Sequence, residues 1–260
     1  MIRGAGRFLF AVLTAYMLFA SVAYADSLRL RLEDFATGTG VVLTDNGAGD
    51  WNPLAGAITY LGSINDFIIN VTTGISKPVI GGVNNYAELD LNSVNVQVGR
   101  AGTLRITLED TGYTLGPDGE LSAVGAVGGT LIAALGSTAT FQSWVNPSDL
   151  VPWLGLDASS PKGLSSIGDI PVGSVALWSE TGGAVTFGPG AFSSSDSEGF
   201  MHSGAYSLFT QATINFTGPG MVSFDSNLST VPEPTSLLLL GSGLAGMGLW
   251  SRRKKKSAQV

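Results

Sequence analysis

Apolar and polar residues alternate with a period of two along most of this chain. Leu28, Leu30 and Leu32 alternate with Arg29, Arg31 and Glu33, Val94, Val96 and Val98 with Asn95 and Gln97, and Leu104, Ile106 and Leu108 with Arg105, Thr107 and Glu109. Successive side chains of a strand point to opposite faces, so this period predicts half-buried strands. Further strands are expected over 40–44, 57–61, 66–72, 88–91, 138–144, 174–178, 184–187, 206–216 and 221–228. Gly, Asn, Asp, Ser and Pro separate them, as in Asp45-Asn46-Gly47-Ala48-Gly49 and Gly116-Pro117-Asp118-Gly119. About a dozen short strands with almost no amphipathic helical period predict an all-β fold, an antiparallel β-sandwich of the jelly-roll kind. Residues 121–135 are rich in Ala and Gly and follow neither period, so a small helix or a Gly-broken strand pair is expected there. Residues 147–166 read as a long loop or short helical excursion, and 193–197 as an exposed polar loop.

Both ends depart from the alternation. Arg3 and Arg7 precede an uncharged stretch over 8–22, and Ala23-Tyr24-Ala25 has the small-x-small form of a signal-peptidase site. Residues 1–25 are therefore expected to be a signal peptide, with Ala23 and Ala25 read by signal peptidase and Asp26 as the new N-terminus. At the other end, Val231-Pro232-Glu233-Pro234 leads into an apolar run over 235–250 and then Arg252-Arg253-Lys254-Lys255-Lys256. The two prolines favour an extended backbone around Glu233, the shape an enzyme cleft takes up. As a helix, about 16 apolar residues span roughly 24 Å, and snorkelling arginines make up the difference from a ~30 Å hydrocarbon core. The basic cluster would stay on the cytoplasmic side, so a membrane helix over 235–250 leaves everything between the two ends outside the cytoplasm.

These three tail elements, in this order at the C-terminus, resemble a PEP-CTERM sorting tail. The resemblance implies an exported bacterial protein processed by exosortase at Pro232, Glu233 and Pro234. It implies a passage through the inner membrane, then the cell surface or the extracellular space. A second resemblance covers about 41–114: Asp45 to Pro53, Gly56-Ala57-Ile58-Thr59-Tyr60, Asn70-Val71-Thr72-Thr73-Gly74 and Lys77-Pro78 look like a segment recurring upstream of such tails. No activity comes with it. The expected organisation is thus a signal peptide (1–25), a β-sandwich ectodomain (26–230) and a sorting tail (231–260).

Within residues 26–230 there are six cations, Arg29, Arg31, Lys77, Arg100, Arg105 and Lys162, against 19 acidic residues, a net charge of −13. So acidic a domain repels phosphate backbones, and nucleic acid is not an expected partner. The chain has no cysteine, which removes disulfides, thiolate metal sites and a Cys nucleophile, and leaves hydrophobic burial to stabilise the domain.

Candidate chemistry is sparse. Asp45 and Asp50, in a Gly-rich turn with Asn46 and Asn52, offer oxygens for Ca²⁺. The turn lacks the spacing of an EF-hand, and a hairpin turn with Asx bonds explains the same residues, so no cofactor is expected and Ca²⁺ stays a side reading. His202 is the sole histidine, without a Gly-x-Ser-x-Gly elbow, and reads as a surface residue. Glu33-Asp34, Glu109-Asp110 and the same-face pair Glu88 and Asp90 are the carboxylate pairs a glycosidase would need. Trp51, Trp144, Trp153 and Trp178 would stack on sugars if aligned on one exposed face, whereas in a cysteine-free sandwich tryptophans more often plug the core or a loop. The expectation is a non-enzymatic surface protein with a structural or adhesive role, associated with matrix or exopolysaccharide. A carbohydrate-binding module is the alternative, and a glycan-processing enzyme comes third.

Overall fold

The computed structural model describes residues 28–77, 79–80, 87–114, 118–151 and 170–232. The expected signal peptide with Ala23 and Ala25, Trp153, Lys162, and the tail from Glu233 onward lie outside the described residues.

The alternating segments form thirteen strands: β1 Arg29–Asp34, β2 Thr39–Thr44, β3 Ala57–Ile64, β4 Phe67–Ile75, β5 Glu88–Val98, β6 Gly102–Tyr113, β7 Gly119–Ala133, β8 Thr138–Asn146, β9 Val175–Ala176, β10 Val185–Phe187, β11 Gly190–His202, β12 Tyr206–Phe216 and β13 Gly220–Pro232. They build two antiparallel sheets. The first runs β10-β8-β12-β6-β1-β2, with β9 also paired to β8, and the second runs β11-β7-β13-β5-β4-β3. From β5 onward, consecutive long strands alternate between sheets, and the late strands β12 and β13 slot between earlier ones, as in the wrapped Greek keys of a jelly roll. Strands β1 to β4 widen both sheets on one side.

The alternating apolar positions meet between the sheets in one continuous core. Leu30, Leu32, Ile106, Leu108, Phe141 and Ile214 of the first sheet face Ile69, Leu91, Val94, Val96, Phe224 and Leu228 of the second, all buried. Phe141 packs edge-on against Phe224 with ring centroids 5.0 Å apart. Each such side chain contributes about 1.5–3 kcal/mol on burial, the stabilisation a chain without disulfides depends on.

Four local expectations are corrected. Residues 121–135 hold neither a helix nor a broken pair: β7 is one strand of 15 residues, paired along its length with β11 and β13. Its inward positions run Leu121, Ala123, Gly125, Val127, Gly129 and Leu131, and the small ones make room for bulky neighbours. A Cβ at Gly129 would lie 2.7 Å from the Phe192 ring and 2.8 Å from Phe224 Cβ. Residues 193–197 are not a loop but the middle of β11, whose serines alternate between exposed and half-buried positions. Strand β1 is not half-buried, because Arg31 and Glu33 are buried as well as the leucines. Finally, the sandwich continues past the expected boundary at Thr230, since β13 stays paired to Pro232.

Candidate functional site

Strand β13 joins the folded sandwich to the tail. It lies inside the second sheet, between β7 and β5, and its last partners are Ser122 for Val231 and Leu121 for Pro232. Pro232 is thus at once the end of the sheet and the first proline of the motif. Just before it, Thr230 is buried and held from three sides. Its N–H donates to the Ala87 carbonyl (2.8 Å), its Oγ1 accepts the Ala87 N–H (3.2 Å), and Oγ1 also bonds the Tyr206 hydroxyl (2.9 Å).

A buried polar cluster lies at the same end of the sandwich. The Ser76 hydroxyl bonds both Asp110 Oδ2 and the Tyr113 hydroxyl, and Tyr113 also donates to the Glu88 carbonyl at 3.0 Å. Lys77 Nζ sits 2.8 Å from Asp110 Oδ2, donates to the Thr111 carbonyl, and lies 4.3 Å from the centroid of the Tyr113 ring. Burial, and secondarily the Asp110 charge, raises the Tyr113 phenol well above its ordinary range. Ser, Lys, Asp and Tyr would make a nucleophile and base set in an open cleft. Here all four side chains are buried and bonded to one another, and Tyr113 stacks on Tyr206 at 5.8 Å, so the cluster braces the strand ends around Thr230.

The turn from Asp45 to Asn52 has the expected Asx bonds but is no hairpin, because it carries the chain from β2 in the first sheet to β3 in the second. Asp50 Oδ1 accepts the N–H groups of Asn52 (2.8 Å) and Thr59 (2.9 Å), and Oδ2 that of Asn46 (3.0 Å). Asp45 Oδ2 accepts the Gly56 N–H at 2.7 Å, and burial raises its carboxyl above the usual range despite that bond. Among the described residues, no group of three or more His, Asp and Glu side chains is placed to hold a metal ion.

Among the described residues, Trp51, Trp144 and Trp178 do not share an exposed face. Trp51 is 72% exposed at the end of the turn, Trp144 is buried against Phe209, and Trp178 is buried with its indole N–H on Ser194 Oγ at 3.1 Å. Stacking on sugars is therefore closed to Trp144 and Trp178 in this arrangement. His202 is not a surface residue either: it is buried between the Phe200 and Tyr206 rings, and its Nδ1 pairs with the Gly204 carbonyl at 3.2 Å.

The two outer faces differ. On the first sheet, Arg29 stands opposite Glu109 and Glu33 opposite Arg105, with Arg31 Nη2 3.6 Å from Glu33. Glu109 is fully buried, and burial pushes its carboxyl up to about 8 although Arg29, at 3.9 Å, pulls the other way. On the second sheet, Glu88 and Asp90 share the outer face as expected; Glu88 accepts from Asn227 Nδ2 at 2.7 Å, and burial, with the Glu88 and Asp225 charges, raises Asp90 to about 6. Toward the other end of β5 a shallow groove of about 200 Å³ runs across β4, β5, β13 and β7. Asn70, Asn95, Gln97, Thr130 and Ser223 line it with the exposed aliphatic side chains of Ile68, Ile132 and Met221.

No helix among the described residues is long and apolar enough to cross a membrane, and the apolar run of the tail lies beyond them. Against family models, residues 230–254 match the PEP-CTERM protein-sorting motif. No curated protein matches the chain. Among solved structures, the adhesin domain of Epf from Streptococcus pyogenes is similar at 12% identity and TM-score 0.36, covering 79% of this chain and 58% of that one. The Epithelial Adhesin 6 A domain from Candida glabrata, in complex with Galβ1-3GlcNAc, is similar at 10% identity and TM-score 0.29, covering 83% of each chain. TmCBM61 in complex with β-1,4-galactotriose shares 6% identity at TM-score 0.24, covering 65% of this chain and 90% of its own. Identities and scores this low transfer no site. The tail does identify the chain: motif, apolar run and the start of the basic cluster fall within residues 230–254 and follow without a break from β13, so this is an exported protein bearing the PEP-CTERM sorting motif, the recognition signal of exosortase.

Proposed function

We propose that the sandwich is the cargo of its own tail: a non-enzymatic surface or extracellular protein, released or transferred by exosortase at Pro232-Glu233-Pro234, with a structural or adhesive role in exopolysaccharide matrix. One observation carries the reading. The motif begins inside the last strand of the sandwich, so the domain joined directly to the tail is this one. The signal peptide, with cleavage after Ala25, and a transient membrane helix over 235–250 belong to the same proposal.

The groove on the second sheet is the surface offered for matrix contact. Its amides and hydroxyls are uncharged, they stand beside aliphatic side chains, and they suit a neutral polyhydroxylated chain better than an ionic one. The acidic character of the domain disfavours polyanionic glycans on the same grounds. The test is retention of the purified secreted protein on neutral exopolysaccharide from the producing cells, against Asn95→Ala with Gln97→Ala. Binding about tenfold weaker in the double variant, with no release of sugar by either protein, is expected. Equal retention of both would refute the groove, and hydrolysis of the glycan would refute the non-enzymatic role.

A further inference from the structure

The fold holds the chain up to the edge of the sorting site. Between Pro232, the last paired residue, and the apolar run from Thr235 stand only Glu233 and Pro234, which reach across about 10 Å even when fully extended. A protease takes up an extended stretch on both sides of the bond it cuts, and a chain engaged in a sheet is not available to it. Upstream of the motif, that stretch is Thr230 and Val231, inside the second sheet.

Building on the reading that exosortase cuts at this motif, we propose that the sandwich controls its own processing: the enzyme engages the tail only when residues 230–232 peel away from β7 and Ala87. The hold is graded. Pro232 has no N–H to give the sheet and Val231 is only half-buried, whereas Thr230 is buried with its bonds to Ala87 and Tyr206. Thr230 is therefore the latch, and opening it frees three residues. When such local opening is fast relative to cleavage, the rate of cutting follows the population of the open form. Removal of the Thr230 hydroxyl leaves the Ala87 N–H without its acceptor and takes one bond from Tyr206, so that population rises.

The test is a pulse-chase of the full chain in an exporting host with active exosortase, reading conversion of precursor to processed form. Thr230→Val keeps the β-branched shape and should speed conversion about tenfold, and Tyr206→Phe, which spares the Ala87 bond, should do so less. Val231 and Ser122 stand directly opposite across β13 and β7, within the separation a disulfide spans. In a chain without other cysteines, Val231→Cys with Ser122→Cys would tie the opening segment itself to β7, slowing conversion at least tenfold until a reductant is added. A ten-residue Gly/Ser insert between Val231 and Pro232 should make conversion insensitive to both changes. Processing of the oxidised, tied chain at the wild-type rate overturns the latch, as does a spacer variant that still responds to Thr230→Val. Should the wild-type chain itself keep residues 252–256, the exosortase reading falls and the latch with it.

Discussion

Glu109→Gln should stabilise the protein above about pH 7 and flatten its response to pH. Glu109 sits on β6, fully buried, with neither carboxylate oxygen hydrogen-bonded and Arg29 at 3.9 Å as partial compensation. Burial lifts its pKa to about 8 in the folded protein, against roughly 4.3 in the unfolded chain. The folded state therefore keeps a proton that the unfolded state has lost, and stability falls as pH rises from the unfolded value to about 8. At 1.36 kcal/mol per unit, that interval amounts to at most about 5 kcal/mol. The glutamine amide is neutral at every pH but inherits the same lack of partners, which offsets about 1–3 kcal/mol. A net gain of at most about 2–4 kcal/mol at pH 8.5 follows, or roughly 4–16 °C in melting temperature for a domain of this size. Thermal melts of both proteins at pH 5.5, 7 and 8.5 provide the assay. At pH 5.5 the two should melt close together, because Glu109 is then protonated in the fold. Burial raises Asp90 to about 6, below this range, and the difference in slope between the two proteins above pH 7 reports Glu109. A wild-type protein equally stable at pH 7 and 8.5, or a variant with the wild-type slope, would refute the reasoning.

Three further outcomes are expected. Gly129→Ala should destabilise by about 1–3 kcal/mol in a urea titration, because the added methyl meets the Phe192 ring, Phe224 and the Ser223 carbonyl, and a midpoint equal to wild type would mean that β7 does not pack as described. Chelator should leave the melting temperature unchanged, whereas Asp50→Ala, which strips the acceptor from three backbone N–H groups, should lower stability by about 1–3 kcal/mol; a fall in chelator alone would make the Asp45 to Asn52 turn a metal site.

Legibility followed the contrast between neighbouring positions. Strands β1, β5 and β6 were readable because leucine and valine alternate with charges and amides. Strand β7 was not, since its core face includes glycines and alanine, and their small size is dictated by Leu177, Phe192 and Phe224, which are remote in sequence. Strand β11 was misread for the opposite reason: its serines carry a turn-like composition, while its pairing partner, β7, lies some seventy positions earlier in the chain. His202 looked exposed among Gly and Ser, and only the strand reversal that brings Phe200 and Tyr206 around it buries the ring.

The amino-acid sequence alone marked this protein for export, because the PEP-CTERM sorting motif is legible as a run of consecutive residues. It also determined the all-β class, since side-chain direction in a strand has a period of two wherever the strand ends up. Tertiary structure decided what those residues do. It buried Trp144 and Trp178 while leaving Trp51 exposed, gathered Ser76, Lys77, Asp110 and Tyr113 from two strand ends, and closed Thr230 against Ala87, 143 positions away. Contacts of that separation depend on which strands lie side by side, and sheet order is set by packing of the whole chain rather than by any local pattern.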